Sequence, residues 1–259
     1  MIGNNPSVFQ GEGYDFIELR EYNIGDDIRH IDWNVTAKMR TPFIKVFREE
    51  RELNVVVSTM LNGSVHFGST RLKQDLIAEI VAIVGFNVVK NGDLLSSFIF
   101  TDKLEMSEKA SKRNFVVSKV TQDVLDFSSL NQGSNYSLMA DTLYKRVKRR
   151  SLIILVGDFF DVPSLKLLAK KHEVICVIVR DRLEENPPEF GFSTLIDPQT
   201  GATLEGNFNN STASAYAQKV RTHDIELYSR FRKENIRFSK IYTDENPIIK
   251  LKRLFEAAK

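Results

Sequence analysis

Hydrophobic and polar positions change rhythm near Leu53. Residues 18–52 mix acids and bases densely, whereas the chain beyond them turns apolar and periodic. Leu53–Met60 (LNVVVSTM) is a β-branched run that predicts a strand. Apolar residues at Leu72, Leu76, Ile80, Ile83, Val84 and Val88 have the spacing of one helix face, and Asn91-Gly92 supplies its stop. The alternation continues with a strand at Asp93–Thr101, an edge strand at Lys103–Met106, and a helix at Ser111–Leu125 whose inward residues are Phe115, Val116, Val120 and Val124. A helix at Tyr136–Lys148, a buried strand at Ser151–Gly157, a short helix at Ser164–Lys170 and a strand at Glu173–Val179 follow. Phe190–Thr203, with Asp197-Pro198 and Gly201, predicts a hairpin. Asn210–Arg232 reads as a long helix, Ile236–Ile241 as a last strand, and Pro247–Ala257 as a closing helix with its proline in the first turn. Strand and helix alternating in this way predict an α/β fold: a mostly parallel sheet with helices on both faces. Residues 1–50 form an N-terminal appendage of irregular and short extended segments, and residues 51–259 the main domain.

Composition narrows the class. In 259 residues, 42% are hydrophobic, which excludes wholesale disorder. Against 36 Lys and Arg stand 34 Asp and Glu, a formal charge of +2, so nucleic acid is not expected as a partner. The single cysteine, Cys176, permits no internal disulfide or cysteine-based metal cluster, and predicts a reducing cytoplasm. No run approaches the roughly 18 apolar residues of a membrane span. The opening MIGNNPSVFQGEGYDF has no basic start or apolar signal core, so no direct membrane insertion is expected; attachment at the inner membrane would need a partner.

Ligands of such sheets bind beyond the carboxyl ends of the strands, beside a topological switch point. Two turns fall there: Met60–Gly68 (MLNGSVHFG) and Gly157–Asp161 (GDFFD). Neither carries a Walker A or GxGxxG pattern, and Gly11-Glu12-Gly13 precedes any strand. There is no GxSxG elbow, and Cys176 lies in an apolar strand, where a thiol is inert. His30, His66, His172 and His223 are scattered, and only His66 sits at a strand end. The basic run Lys145–Arg150 follows a helix C-terminus and reads as a solvated cap, with an acidic partner surface as the alternative.

One block carries a resemblance. Gly11-Glu12-Gly13-Tyr14-Asp15-Phe16, then Arg20-Glu21-Tyr22-Asn23-Ile24-Gly25-Asp26-Asp27-Ile28-Arg29-His30-Ile31-Asp32-Trp33, then Thr36-Ala37, resembles the signature of domain-of-unknown-function family 58. The likeness continues through Phe47–Arg51, Phe67-Gly68, Gly157-Asp158-Phe159, Asp181–Glu184 and Asp197–Gly201. It implies a von Willebrand factor A-like domain, whose relatives hold Mg2+ with a D-x-S-x-S loop, a threonine and a later aspartate. It also implies work beside a MoxR-type AAA+ ATPase, in assembling or activating a client protein. Here the loop reads Met60-Leu61-Asn62-Gly63-Ser64, so the metal positions become Asn62, Ser64, Ser134 and Asp158, and the leading carboxylate is missing.

In the N-terminal block, Gly25-Asp26-Asp27 predicts a turn and Arg29 is expected to pair with Asp32. Arg20, Tyr22, Asp26, Asp27, Arg29, Asp32 and Trp33, with His66, form the candidate partner-binding set. The same block also reads as a structural staple, and a mixed version places Trp33 and Ile31 inward, with Arg20, Asp26 and Asp27 outward. The expected function is a non-enzymatic interaction adaptor. The alternatives are a divalent-cation-dependent binding module acting without an ATPase, and a hydrolase using Asp158, Asp161 and a metal.

Overall fold

A computed structural model describes residues 14–49 and 52–256. Gly11, Gly13, Glu50, Arg51 and Ala257 lie outside the described residues. The chain divides into two compact units, Met1–Glu52 and Leu53–Lys259.

The first unit is more regular than its sequence predicts. Strand β1 (Tyr14–Glu21) pairs antiparallel with β2 (Phe43–Glu49), and between them lie a single 3₁₀ turn and helix α1 (Trp33–Met39). Asp32 starts α1, its carboxylate accepting from the N–H groups of Asn34 and Val35, and Arg40 closes it at φ 60°. Periodicity misses so short a helix because no buried residue marks a face on it.

The second unit is an α/β fold. Its strands are β3 (Asn54–Met60), β4 (Leu94–Phe100), β5 (Leu104–Ser111), β6 (Leu152–Gly157), β7 (Glu173–Arg180) and β10 (Arg237–Tyr242). They form one six-stranded sheet in the order β10-β7-β6-β3-β4-β5. All neighbours are parallel except the β4–β5 edge pair. Helices α2 (Lys73–Lys90) and α3 (Asn114–Leu125) follow β3 and β5, and α4 (Tyr136–Arg146) precedes β6. Then come α5 (Lys166–Lys171), α6 (Arg182–Glu185), a separate hairpin of β8 (Gly191–Ile196) and β9 (Thr203–Phe208), α7 (Asn210–Lys233) and α8 (Pro247–Glu256).

The central strands read as unbroken apolar runs because both faces are covered. Val55, Val57, Ile154, Val156, Ile175 and Val177 point into one core with α2, α3 and α8. Val56, Met60, Ile153, Leu155, Cys176 and Ile178 point into the other, with α4, α5 and α7. In α3 the buried stripe is Val117, Val120 and Val124. Phe115, expected inward, is 74% exposed, because the stripe falls at i, i+3 and i+7 from Val117 and leaves position 115 on the outer side.

His172, between α5 and β7, is 3% exposed. Burial, aided by the charge of Lys171, holds its imidazole below the usual histidine range. Below about pH 6.5 the unfolded chain therefore takes up a proton that the folded chain refuses. Stability is complete above that pH and falls as pH drops towards the folded pKa, by at most about 1.4 kcal/mol per pH unit. His172→Gln is expected to flatten this part of the pH–stability curve measured by urea unfolding; an unchanged slope would show that another group titrates.

Candidate functional site

From β3 the chain turns one way, to β4 and β5, and from β6 the other way, to β7 and β10. The carboxyl ends of β3 and β6 are thus the switch point of the sheet, where loops diverge and leave a crevice. Asn62 and Ser64 follow β3, and Asp158 follows β6. Asp158 is fully buried. Its Oδ2 accepts from the Ser64 hydroxyl and, at 3.4 Å, from Asn62 Nδ2. Its Oδ1 accepts from the Tyr136 hydroxyl at 3.2 Å. The same hydroxyl accepts from the Phe159 N–H at 2.9 Å, and the two rings stack with centroids 4.8 Å apart. Phe159 is held at φ 51°, a conformation that costs a non-glycine residue energy.

The nearest cation comes from the protein. Lys73, the first residue of α2, has a fully buried side chain whose Nζ lies 3.8 Å from Asp158 Oδ2 and pairs closely with Glu184. Arg180, also fully buried, lays its guanidinium 3.7 Å from the Phe160 ring centroid and donates to Asp224 Oδ1 at 3.2 Å. Asp224 also receives Lys240 Nζ at 2.9 Å. Burial alone would raise the Asp158 pKa, but the charges of Lys73 and Arg180 and the Ser64 bond outweigh it and hold the carboxyl below its usual range. Burial dominates at Glu184, whose pKa is raised despite Lys73.

This donor set does not fit Mg2+. The ion requires near-octahedral oxygen ligation, and the crevice offers one carboxylate, an amide and a hydroxyl. The amide oxygen of Asn62 is buried without a hydrogen-bond partner, a single free acceptor. A divalent ion on Asp158 Oδ2 would also face the buried Lys73 ammonium. Ser134, expected as a fourth ligand, donates instead to Asp161 at 2.8 Å. Among the described residues, no three His, Cys, Asp or Glu side chains converge as a metal site.

Other loops close over the crevice. The turn after β8 is an Asx turn: Asp197 Oδ1 accepts from the Gln199 N–H at 2.9 Å and Oδ2 from the Thr200 hydroxyl at 2.6 Å. The Pro198 carbonyl accepts from the Asn131 N–H at 2.9 Å, and Gly63 sits so close beneath it that a Cβ there would lie 2.0 Å from that oxygen. Asp181 caps α6 in a capping box with Glu184 and accepts from the Ser69 N–H at 2.8 Å. His66 is exposed on the loop after β3.

Residues 18–226 match the model of a family described as Protein of unknown function DUF58. The chain belongs to the DUF58 family. It is similar to uncharacterized proteins of Mycobacterium bovis and Mycobacterium tuberculosis, 22% identical over 237 residues that cover 89% of this chain and 75% of each relative. Among solved structures it is similar to the conserved hypothetical protein BatB from Bacteroides thetaiotaomicron. That match has a TM-score of 0.50 at 11% identity and covers 79% of this chain and 98% of the other, a likeness of fold.

Elsewhere in this DUF58 chain, the candidate residues of the N-terminal block make their own arrangement. Arg20 and Asp26 form a two-pronged pair at 2.7 and 2.8 Å, and the guanidinium holds the Asp26 carboxyl below its usual range. Arg29 pairs with Asp27 at 2.6 Å, not with the expected Asp32, which is occupied in capping α1 and in an ion pair with Lys45 at 3.1 Å. Tyr22 is half-buried, its N–H donating to the Pro42 carbonyl at 2.8 Å. Trp33, placed inward in the mixed reading, is 69% exposed, because as the first residue of α1 it stands on the solvent side of a helix that buries nothing. Ile31 is half-buried.

Sequence reasoning missed Lys73, Tyr136, Arg180, Glu184 as an ion-pair partner, and Asp224. Lys73 and Arg180 had no local signal, because each is a charge at the end of an apolar element and reads as a solvated terminus. Glu184 stood in the Asp181–Glu184 motif, yet its partner is 111 residues away.

Proposed function

We propose that this DUF58 chain is a non-enzymatic interaction adaptor with a von Willebrand factor A-like main domain. In this reading it acts in the cytoplasm beside a MoxR-type AAA+ ATPase and presents or holds a client protein. The observation that carries the reading is the solvent-facing Trp33 in the same compact unit as two ion pairs, Arg20–Asp26 and Arg29–Asp27. A large exposed indole on a unit that also carries paired arginines is the chemistry of an interface anchor, since Trp and Arg dominate binding hot spots and the ion pairs lower the ordering cost of the arginines. The crevice supports the same reading, because Asp158 is saturated by Ser64, Asn62, Tyr136 and Lys73 and has no open position for a substrate.

The test is affinity capture of the tagged protein from its own cells, with Mg-ATP and with EDTA, comparing wild type with Trp33→Ala. An AAA+ ATPase captured by wild type and reduced about thirtyfold by the variant, the loss of a hot spot of ~2 kcal/mol, supports the adaptor. No ATPase under either condition refutes the partnership.

The cation-dependent alternative draws on the free Asn62 Oδ1 and is tested separately. Mg2+ and Mn2+ are expected to leave the melting temperature unchanged. Saturation at a hundredfold over Kd would instead add about 2.7 kcal/mol, and a rise lost in Asp158→Asn would establish a cation site in place of the internal one.

A further inference from the structure

We infer that the amino-terminal edge of the sheet, opposite the crevice, is a docking surface for an anionic phospholipid bilayer. Lys145, Arg146, Lys148, Arg149 and Arg150 are all exposed where α4 runs into β6, and Lys170 is exposed at the end of α5. None of the six forms an ion pair among the described residues. The two segments are fixed side by side: Lys171 Nζ donates to the carbonyls of Tyr144 and Val147, each at 2.8 Å.

A helix C-terminus accounts for cations in its last turn, which covers Lys145, Arg146 and Lys170. It does not account for Lys148, Arg149 and Arg150, which lie beyond the helix. In a chain with formal charge of only +2, so many unpaired cations on one edge polarise the molecule and would orient it towards a negative surface.

Two side chains favour a bilayer over nucleic acid. Leu167, on α5 among the cations, is 62% exposed, and an aliphatic chain gains nothing from a phosphate backbone but gains from the headgroup–acyl boundary. Tyr144, the aromatic ring of the patch, is covered by Lys171 Nζ at 4.8 Å from its centroid, so that face is not free to stack on a base. A tyrosine beside lysines is instead typical of the membrane interface. The inference stands independently of the adaptor reading, since it uses none of the residues on which that reading rests.

The test is cosedimentation of the full chain with phosphatidylcholine vesicles, with and without phosphatidylglycerol, at low and high salt. Association is expected only with the anionic vesicles and to weaken as salt is raised. Each cation neutralised removes about fivefold in affinity, so Lys148→Gln combined with Arg149→Gln is expected to lose about 25-fold at unchanged melting temperature. Leu167→Ser is expected to weaken association at both salt concentrations. No association with anionic vesicles at low salt, or equal association of the double variant, overturns the proposal. So does capture of a single-stranded RNA oligonucleotide without capture of vesicles, which assigns the patch to nucleic acid.

Discussion

Lys73→Met is expected to cost this protein about 3–5 kcal/mol, the loss that follows when one partner of a buried ion pair is removed and the other charge stays behind. Methionine preserves the length and most of the volume of the lysine, so the effect isolates the ammonium. That ammonium stands 3.8 Å from Asp158 and is paired with Glu184, and all three side chains are almost wholly out of water. Without it, two carboxylates remain in a low-dielectric site that holds few other cations, chiefly Arg180. Adding Glu184→Gln should recover part of the loss, because the amide needs no counter-charge, and the double-mutant cycle reads the coupling directly. The pH dependence has a definite sign. With its pKa held down, Asp158 contributes stability above about pH 3.8 that disappears as pH falls through the folded value. Lys73→Met raises that folded value, so the gap between variant and wild type should narrow as the solution is acidified. Urea unfolding at neutral and acidic pH measures both effects. A loss below about 1 kcal/mol with no coupling to Glu184 would mean the charges are effectively solvated.

A comparable loss is expected from Gly157→Ala, for a steric reason. A Cβ at this position would lie 2.5 Å from the Tyr136 hydroxyl oxygen and 3.1 Å from Met60 Cβ. Gly157 is the last residue of β6, so its backbone cannot move away without disturbing the sheet. Tyr136 must yield, and its hydroxyl is what joins Asp158 to the Phe159 N–H. Overpacking of about 1–3 kcal/mol adds to the loss of these bonds at about 1 kcal/mol each. Tyr136→Phe removes the oxygen that would be struck; the ring carbon behind it lies 3.5 Å from the built Cβ, an ordinary contact. The two substitutions together should therefore cost less than the sum of the two alone. Thermal unfolding of the four proteins gives the answer, and strict additivity would place the strain elsewhere.

Both predictions concern a site where a buried lysine of the chain faces the Asp158 carboxylate. A lysine on the first turn of α2 works against the dipole of its own helix and carries a desolvation cost, which the pairing with Glu184 and Asp158 offsets. The arrangement holds the loops after β3 and β6 together through side chains alone.

Much of this was legible in the chain itself. The apolar runs at Val55–Val57, Ile153–Val156 and Val174–Val179 are buried on both faces, and only a parallel sheet with two helix layers makes such runs stable. The turns at Met60–Gly68 and Gly157–Asp161 were marked as strand-end loops by their position after such runs, and Asp158 by the family resemblance. Period and position are local properties, so the sequence states them. Which charges meet is not local. Lys73 reaches Glu184 across 111 residues and Asp224 receives Arg180 across 44, and at each separation the linear order offers many equivalent partners. The sequence by itself determined the alternation of strands and helices, the two covered faces and the two strand-end turns, and the family resemblance picked out Asp158. Only the tertiary structure decided that this carboxylate faces a lysine, that Trp33 faces water and that Arg29 pairs with Asp27, because burial and ion pairing depend on three-dimensional distance, which a periodic pattern does not carry.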